Sequence, residues 1–266
     1  MSIREKYVTY IDKPGAYDAL CGQPAVPRYE RFKTVPLLPE KKTPIPPIIH
    51  FVWIGSSIPY KYVKNILTFV ATNKLQYVFK LWVDHETPPI EGVIIKNIYN
   101  DFPGTFINRD IFDIETNWSA KADILKYEIV YNEGGINSDV DAISIRPYND
   151  ENKLFDRAFV CYAGHGYNDI GTCLFGFPVE SNFLKYVIDC LREVRTYSYD
   201  FTSLPTKIRV LILTGPQIFT QCFQFYNDST IQMISQDIVV LNKDNPDAYS
   251  YHTFDSVLPS GWHNQK

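Results

Sequence analysis

The sequence predicts an α/β protein: a Rossmann-like, mainly parallel sheet flanked by helices. Three observations lead there. A continuous apolar run, Ile48-Ile-His-Phe-Val-Trp-Ile54, reads as a strand covered on both faces. Strand-like and helix-like segments then alternate, as crossovers between parallel strands require. Finally, Ser119 to Asp141 reads as a helix, a Gly-Gly stop, a short strand and two aspartates one residue apart.

Residues 1–43 form an N-terminal extension broken by Pro24, Pro27, Pro36 and Pro39, with enough aromatic residues to pack over the main domain, residues 44–266. Pro44-Ile-Pro-Pro47 leads into the first strand and Gly55-Ser-Ser57 ends it. Residues 60–73 repeat apolar side chains at helical spacing, with Val63, Ile66, Leu67 and Val70 on one face. Residues 77–83 and 93–95 read as strands. Ser119 is placed to cap the central helix, whose apolar stripe is Ala122, Leu125, Ile129 and Val130, and Gly134-Gly135 supplies a left-handed stop. Strands are expected over 159–162 and 171–177, a helix over 182–194 and a strand over 209–214. Gly215-Pro216 then opens a helix to about residue 223, with Pro at its favoured first turn.

Bulk properties narrow the function. A chain of 266 residues, 45% hydrophobic and 21% charged, buries a substantial core. Its net charge of -4 gives no electrostatic footprint for nucleic acid, so an anionic diphosphate would need local cations or a metal. The first residues lack the apolar run of a secretory signal, and no segment reaches membrane-spanning length. Cys21, Cys161, Cys173, Cys190 and Cys222 are odd in number and lack zinc-like spacing, which suits reduced thiols in a cytoplasmic protein. No phosphate-binding P-loop, nucleophile elbow or Cys/His cluster is present in the sequence.

The chemistry concentrates in a few positions. Asp139 and Asp141 fall on one side of an extended backbone and form an oxygen-ligand pair suited to Mn2+ or Mg2+. Asp123 and Lys126 are neighbours on a helix. Trp53 ends the first strand, where an aromatic face can stack a nucleobase and the Val52 backbone can read its edge.

Four pieces carry a resemblance, in order: Ile48 to Gly55; Ala122-Asp-Ile-Leu-Lys126 with Gly134-Gly135 and Asp139-Val-Asp141; Leu213-Thr-Gly-Pro216; and Ser260-Gly-Trp262. Spanning about Pro44 to Trp262, the chain resembles the DXD-containing sugar-binding-region glycosyltransferases, which include the large clostridial glucosylating toxins and yeast-type initiating mannosyltransferases. The resemblance implies a GT-A fold, a divalent metal, a UDP-sugar donor carrying a hexose or N-acetylhexosamine, and retention of anomeric configuration. It implies that Asp141 binds the metal directly, that Asp139 contacts ribose or the metal through water, and that Asp123 holds donor-sugar hydroxyls. Lys126 stands where the family has an Arg that contacts sugar or phosphate. Val52 and Trp53 would meet uracil, Ser260 and Trp262 the diphosphate, and Asn168 or Asp169 the sugar pocket. The toxins place an acidic metal ligand three residues before the lid Ser; here that position is Val257, leaving Asp255, His252 or water to replace it.

The short extension favours a glycan or small hydroxyl acceptor over a docked protein. Without the membrane anchor of the yeast-type branch, the chain is expected in the cytoplasm of a bacterium or of a cell infected by a large DNA virus. The alternative, motivated by Val257 and Lys126, is a catalytically degenerate nucleotide-sugar-binding or scaffold protein of the same fold.

Overall fold

The computed structural model describes residues 35–162, 170–195, 206–240 and 243–255, with Lys6, Val8 and Thr9. Most of the N-terminal extension, Asn168, Asp169, Val257, Ser260 and Trp262 lie outside the described residues.

The first strand-helix-strand unit follows the apolar pattern. β2 (Ile48–Trp53) runs into α1 (Tyr60–Asn73), β3 (Val78–Val83) and β4 (Val93–Asn97), all three strands parallel. Ile49 and Phe51 face one side of the sheet and Val52 the other, all buried, as a doubly covered strand requires. After the short α2 (Arg109–Ile114), α3 (Trp118–Glu133) returns across the sheet and β5 (Gly135–Ser138) enters parallel to β2 on the side away from β3. The turn into β6 (Ala142–Ser144) carries the two aspartates. β8 (Ile170–Phe177) extends the sheet antiparallel to β5, and β7 (Phe159–Tyr162) pairs antiparallel with β8. α4 (Asn182–Val194), α5 (Thr206–Leu213) and α6 (Pro216–Tyr226) follow, then β9 (Gln232–Ile234), α7 (Gln236–Val239) and β10 (Ser250–His252).

The result is a mixed eight-stranded sheet ordered β1-β9-β7-β8-β5-β2-β3-β4, in which the two-residue β1 (Val8–Thr9) is an edge, plus the separate β6–β10 ribbon. One apolar core lies between the sheet and α3, α4 and α6; the other contains Tyr62, Ile66 and Phe69 of α1 with Tyr148, Phe155 and Tyr249.

Three local expectations change. Residues 206–213 are helix α5, not a strand. A short apolar run does not reveal its period, and here Pro205 precedes the run while Gly215-Pro216 closes it, with the Thr214 and Gly215 amides both bonding the Val210 carbonyl. The cap of α3 is Asn117, whose side chain accepts from the Ala120 amide, and Ser119 lies inside the helix. The buried face of α1 is Tyr62, Ile66, Phe69 and Asn73, while Val63, Leu67 and Val70 are only half-buried.

α3 departs furthest from an amphipathic stripe, because every residue from Ser119 to Val130 is buried. Each polar side chain on it therefore needs a partner. Glu128, 0% exposed, accepts from the Ile107 and Asn108 amides at 3.1 and 2.8 Å and so ties α3 to the start of α2. Burial pushes its carboxyl from 4.5 up to about 7, against the pull of those two donors. The folded protein thus keeps a proton that the unfolded chain releases, and this contribution to stability is full below about 4.5 and lost as pH rises toward 7. The midpoint of wild type minus that of Glu128→Gln, followed by thermal melts, should therefore fall as pH rises through that window. A constant difference would contradict this account.

Candidate active site

The parallel strands place the chemistry on one edge. β3 and β4 lie to one side of β2 and β5 to the other, so the strand order reverses between β2 and β5. In open α/β sheets the ligand crevice forms outside the carboxyl ends of strands at such a reversal. Trp53 ends β2 and Gly55 follows it, Asp84 follows β3, and Asp139 and Asp141 follow β5.

Glycines set the entry to β5. Gly134 and Gly135 have φ of 63° and 102°, and a Cβ at Gly135 would meet the Ile48 carbonyl at 2.7 Å. His50 secures the same corner. Its Nε2 donates to the Gly134 carbonyl at 2.9 Å while its Nδ1 accepts from the Trp82 indole at 3.2 Å. Burial lowers its pKa to about 3, so it stays neutral in that tautomer.

The acidic turn is then held from three sides. The Asp139 amide donates to the Cys173 carbonyl of β8 at 2.9 Å. The Asn65 side-chain amide donates to the Val140 carbonyl at 3.0 Å. On the third side the β6–β10 pairing sets His252 opposite Ala142, beside Asp141. Asn65 belongs to a polar stripe on α1 that apolar periodicity does not disclose. Thr68 accepts from the Ser144 amide, the Thr72 hydroxyl meets the Ser144 hydroxyl at 2.7 Å, and Asn73 accepts from the Tyr148 amide. Positions 65, 68 and 72 recur at helical spacing, and a search for carbonyl- and amide-binding side chains at that spacing would have found them.

Asp139, Asp141 and His252 offer ligand atoms that all lie within 4.8 Å of one another. His252 Nε2 stands 2.9 Å from Asp141 Oδ1 and 3.5 Å from Asp139 Oδ2. Burial opposes charge on this imidazole, but the two aspartates outweigh it and raise its pKa. In the neutral ring the Phe254 amide donates to Nδ1 at 2.9 Å, which leaves the one ring proton on Nε2, facing the carboxylates. Two carboxylates and an imidazole suit a borderline cation such as Mn2+ better than Ca2+, which prefers an all-oxygen set. Here the Nε2 proton stands where such a cation would bind. Asp255 is placed differently: its amide donates to Asp141 Oδ2 at 3.1 Å, while its carboxylate pairs with Lys61 at 2.7 Å.

Lys126 links this cluster to α3. Its Nζ lies 2.7 Å from Asp139 Oδ1 and 3.4 Å from Asp123 Oδ1. Burial pushes Asp123 up to about 6, tempered by Lys126. Asp139 goes the other way, because Lys126 and His252 outweigh its burial and hold it below the usual carboxylate range. The Leu213-Thr-Gly-Pro216 segment docks on the same turn of α3: Thr214 Oγ donates to Asp123 Oδ2 at 3.3 Å and Tyr127 OH donates to the Thr214 carbonyl at 2.8 Å. Val52 has its side chain in the core and its backbone in the β2–β3 ladder. Trp53 is half-buried, its ring 4.9 Å from that of Tyr62 at 41°.

A mixed, largely parallel sheet with an acidic pair beyond β5 defines a GT-A-type glycosyltransferase fold. Solved structures similar to it include PaToxG glycosyltransferase, with TM-score 0.53 and 18% identity over 73% of this chain and 72% of that one. The UDP-bound glycosyltransferase domain of the YGT toxin gives 0.53 and 10%, covering 72% and 80%. The catalytic domain of alpha-toxin from Clostridium novyi gives 0.51 and 10%, covering 76% and 75%. Among curated proteins, Subversion of eukaryotic traffic protein A of Legionella pneumophila is 28% identical over 116 residues, which are 39% of this chain and 18% of that protein's length. No family model matches the chain. Among the described residues no helix is long and apolar enough to cross a membrane.

Proposed function

We propose that this chain is a metal-dependent, retaining glycosyltransferase that moves a hexose or N-acetylhexosamine from a UDP-sugar to a hydroxyl acceptor, a glycan before a protein, in the cytoplasm. The observation that carries the reading is the convergence of Asp139, Asp141 and His252 beside the Asp123–Lys126 pair at the β2–β5 reversal. A UDP-bound neighbour of the same fold supports the choice of donor.

Each side chain then has a task. Asp141 and Asp139, with His252, would hold the cation, which when bound supplies Lewis-acid stabilisation of the departing diphosphate. Asp123 would accept from donor-sugar hydroxyls, its carboxylate aimed by Thr214. Lys126 balances Asp123 and Asp139 and offers a point charge where a guanidinium would offer a planar fork. For His252 to bind metal through Nε2 its proton must leave that nitrogen, so the Phe254 contact to Nδ1 must rearrange. Phe254 has φ of 54°, a strained position for a residue with a side chain. Ser260 and Trp262 would close over the diphosphate and exclude water.

The test is a thermal-shift panel of UDP, GDP, UDP-glucose, UDP-N-acetylglucosamine, UDP-galactose and GDP-mannose, each with Mn2+ and with EDTA. A ligand at one hundred times its Kd stabilises the folded state by about 2.7 kcal/mol, enough to move a midpoint by several degrees. Shifts confined to uridine nucleotides with Mn2+, followed by donor hydrolysis, are expected. A midpoint that no nucleotide moves would instead favour the degenerate-scaffold reading.

A further inference from the structure

An exposed indole stands at the end of β2. Trp118, the first residue of α3, is 40% exposed, yet its ring is seated on the main chain. Gly55 has φ of 88°, and a Cβ there would lie 2.5 Å from Trp118 Cδ2 and 2.7 Å from Cε2, so only glycine fits beneath the ring. The Gly55 amide is fixed in turn by both oxygens of Asp84, each at 2.9 Å. The platform is rigid on the protein side while part of the ring remains open.

Beside it lies a cation that pairs with no carboxylate among the described residues. Lys121 is 9% exposed, and its Nζ sits 4.2 Å from the Phe112 ring centroid and 5.6 Å from that of Trp118. Among the described residues no ion pair reaches it. Burial lowers its pKa, against the more distant pull of Asp113, Glu115 and Asp84. Held mainly against ring faces, this ammonium has donors left for a ligand carbonyl.

The spacing along α3 says which part of a donor would arrive there. Eight residues separate Trp118 from Lys126, which pairs with Asp139. That is about 12 Å of helix rise, comparable to the span from a nucleobase to its diphosphate. Trp53, by contrast, turns its ring to Tyr62 on the α1 side of the sheet.

We propose that Trp118 and Lys121 form the nucleobase subsite of the donor cleft, the indole stacking the ring and the ammonium donating to a base carbonyl. The assignment rests on the glycosyltransferase reading and adds a selectivity to it. An ammonium only donates, so it favours uracil, which has a carbonyl at ring position 4, over cytosine, which has an amino group there.

Calorimetric titration of UDP and CDP in Mn2+ buffer tests this on wild type, Lys121→Met, Trp118→Leu and Trp118→Phe, with a melt of each protein. Lys121→Met keeps the stem and its ring packing, so its midpoint should hold while UDP affinity falls about tenfold and CDP affinity stays. Trp118→Leu should weaken both nucleotides about tenfold or more, and Trp118→Phe should recover most of that. A well-folded Lys121→Met that binds UDP like wild type, or a Trp118→Leu that keeps both affinities, overturns the subsite. A wild type that binds neither nucleotide overturns the donor-site reading beneath it.

Discussion

Asp141→Asn should cut transfer from a UDP-sugar by about a thousandfold or more, since the cation proposed for this site would supply several kcal/mol of leaving-group stabilisation. Asn matches Asp in size but replaces an anionic oxygen with a donor. In the structure Asp141 Oδ1 stands 2.9 Å from His252 Nε2, and Oδ2 accepts from the Asp255 amide. An Asn side chain can satisfy one of these and must present its own N–H to the other, a conflict worth about 1–3 kcal/mol. The variant should therefore remain folded with a lowered midpoint, and Mn2+ should no longer raise it. Turnover in Mn2+-buffered solution and Mn2+ binding by calorimetry separate the two effects. Wild-type turnover in this variant would remove Asp141 from the chemistry. Lost turnover with unchanged Mn2+ affinity would move the metal elsewhere.

Elements whose burial follows one simple period were legible in the sequence. β2 shows a run apolar on both faces, and α4 begins at Asn182 and ends at Val194 where a strong apolar stripe predicts it. α5 was not legible, because Val210, Leu211, Ile212 and Leu213 fit a strand as well as a helix turn; its Gly-Pro end was the better signal. α3 was legible as a helix but not as one buried on all sides. A stripe of Ala122, Leu125, Ile129 and Val130 describes only the apolar share of its surface, and Glu128, Lys121 and Lys126 read as solvated when considered alone. At the candidate site, spacing brings Asp139 to Asp141 and Asp123 to Lys126, because those pairs are local. It cannot bring His252 to Asp141 or Thr214 to Asp123, which depend on the β6–β10 pairing and on how α5 docks. Nor does it reveal Asn65, since a helix is usually read for its apolar face and this residue works through a backbone carbonyl.

Lys126→Met tests whether the cluster depends on that one ammonium. Removing it leaves Asp123 and Asp139 without their shared cation, and breaking such a buried pair costs about 3–5 kcal/mol. The loss should depend on pH with a definite sign. Burial already lifts Asp123 from 3.8 to about 6, so its protonated form is favoured in the fold and the stability it contributes declines as pH rises through that window. Without Lys126 both carboxyls titrate higher, so the midpoint of the variant should fall more steeply than that of wild type as pH rises from about 5 to about 8. Mn2+ supplies the comparison. If a divalent cation belongs beside Asp139 and Asp141, it replaces part of the missing charge, and its stabilisation should be larger in Lys126→Met than in wild type, although donor turnover stays low because the ammonium itself is gone. A midpoint insensitive to the substitution would mean that the buried acids are already neutral. Equal stabilisation of both proteins by Mn2+ would mean that the cation binds away from this cluster. The expected pattern, a loss that deepens with pH and is partly recovered by metal, requires Lys126 and the cation to act on the same two carboxylates.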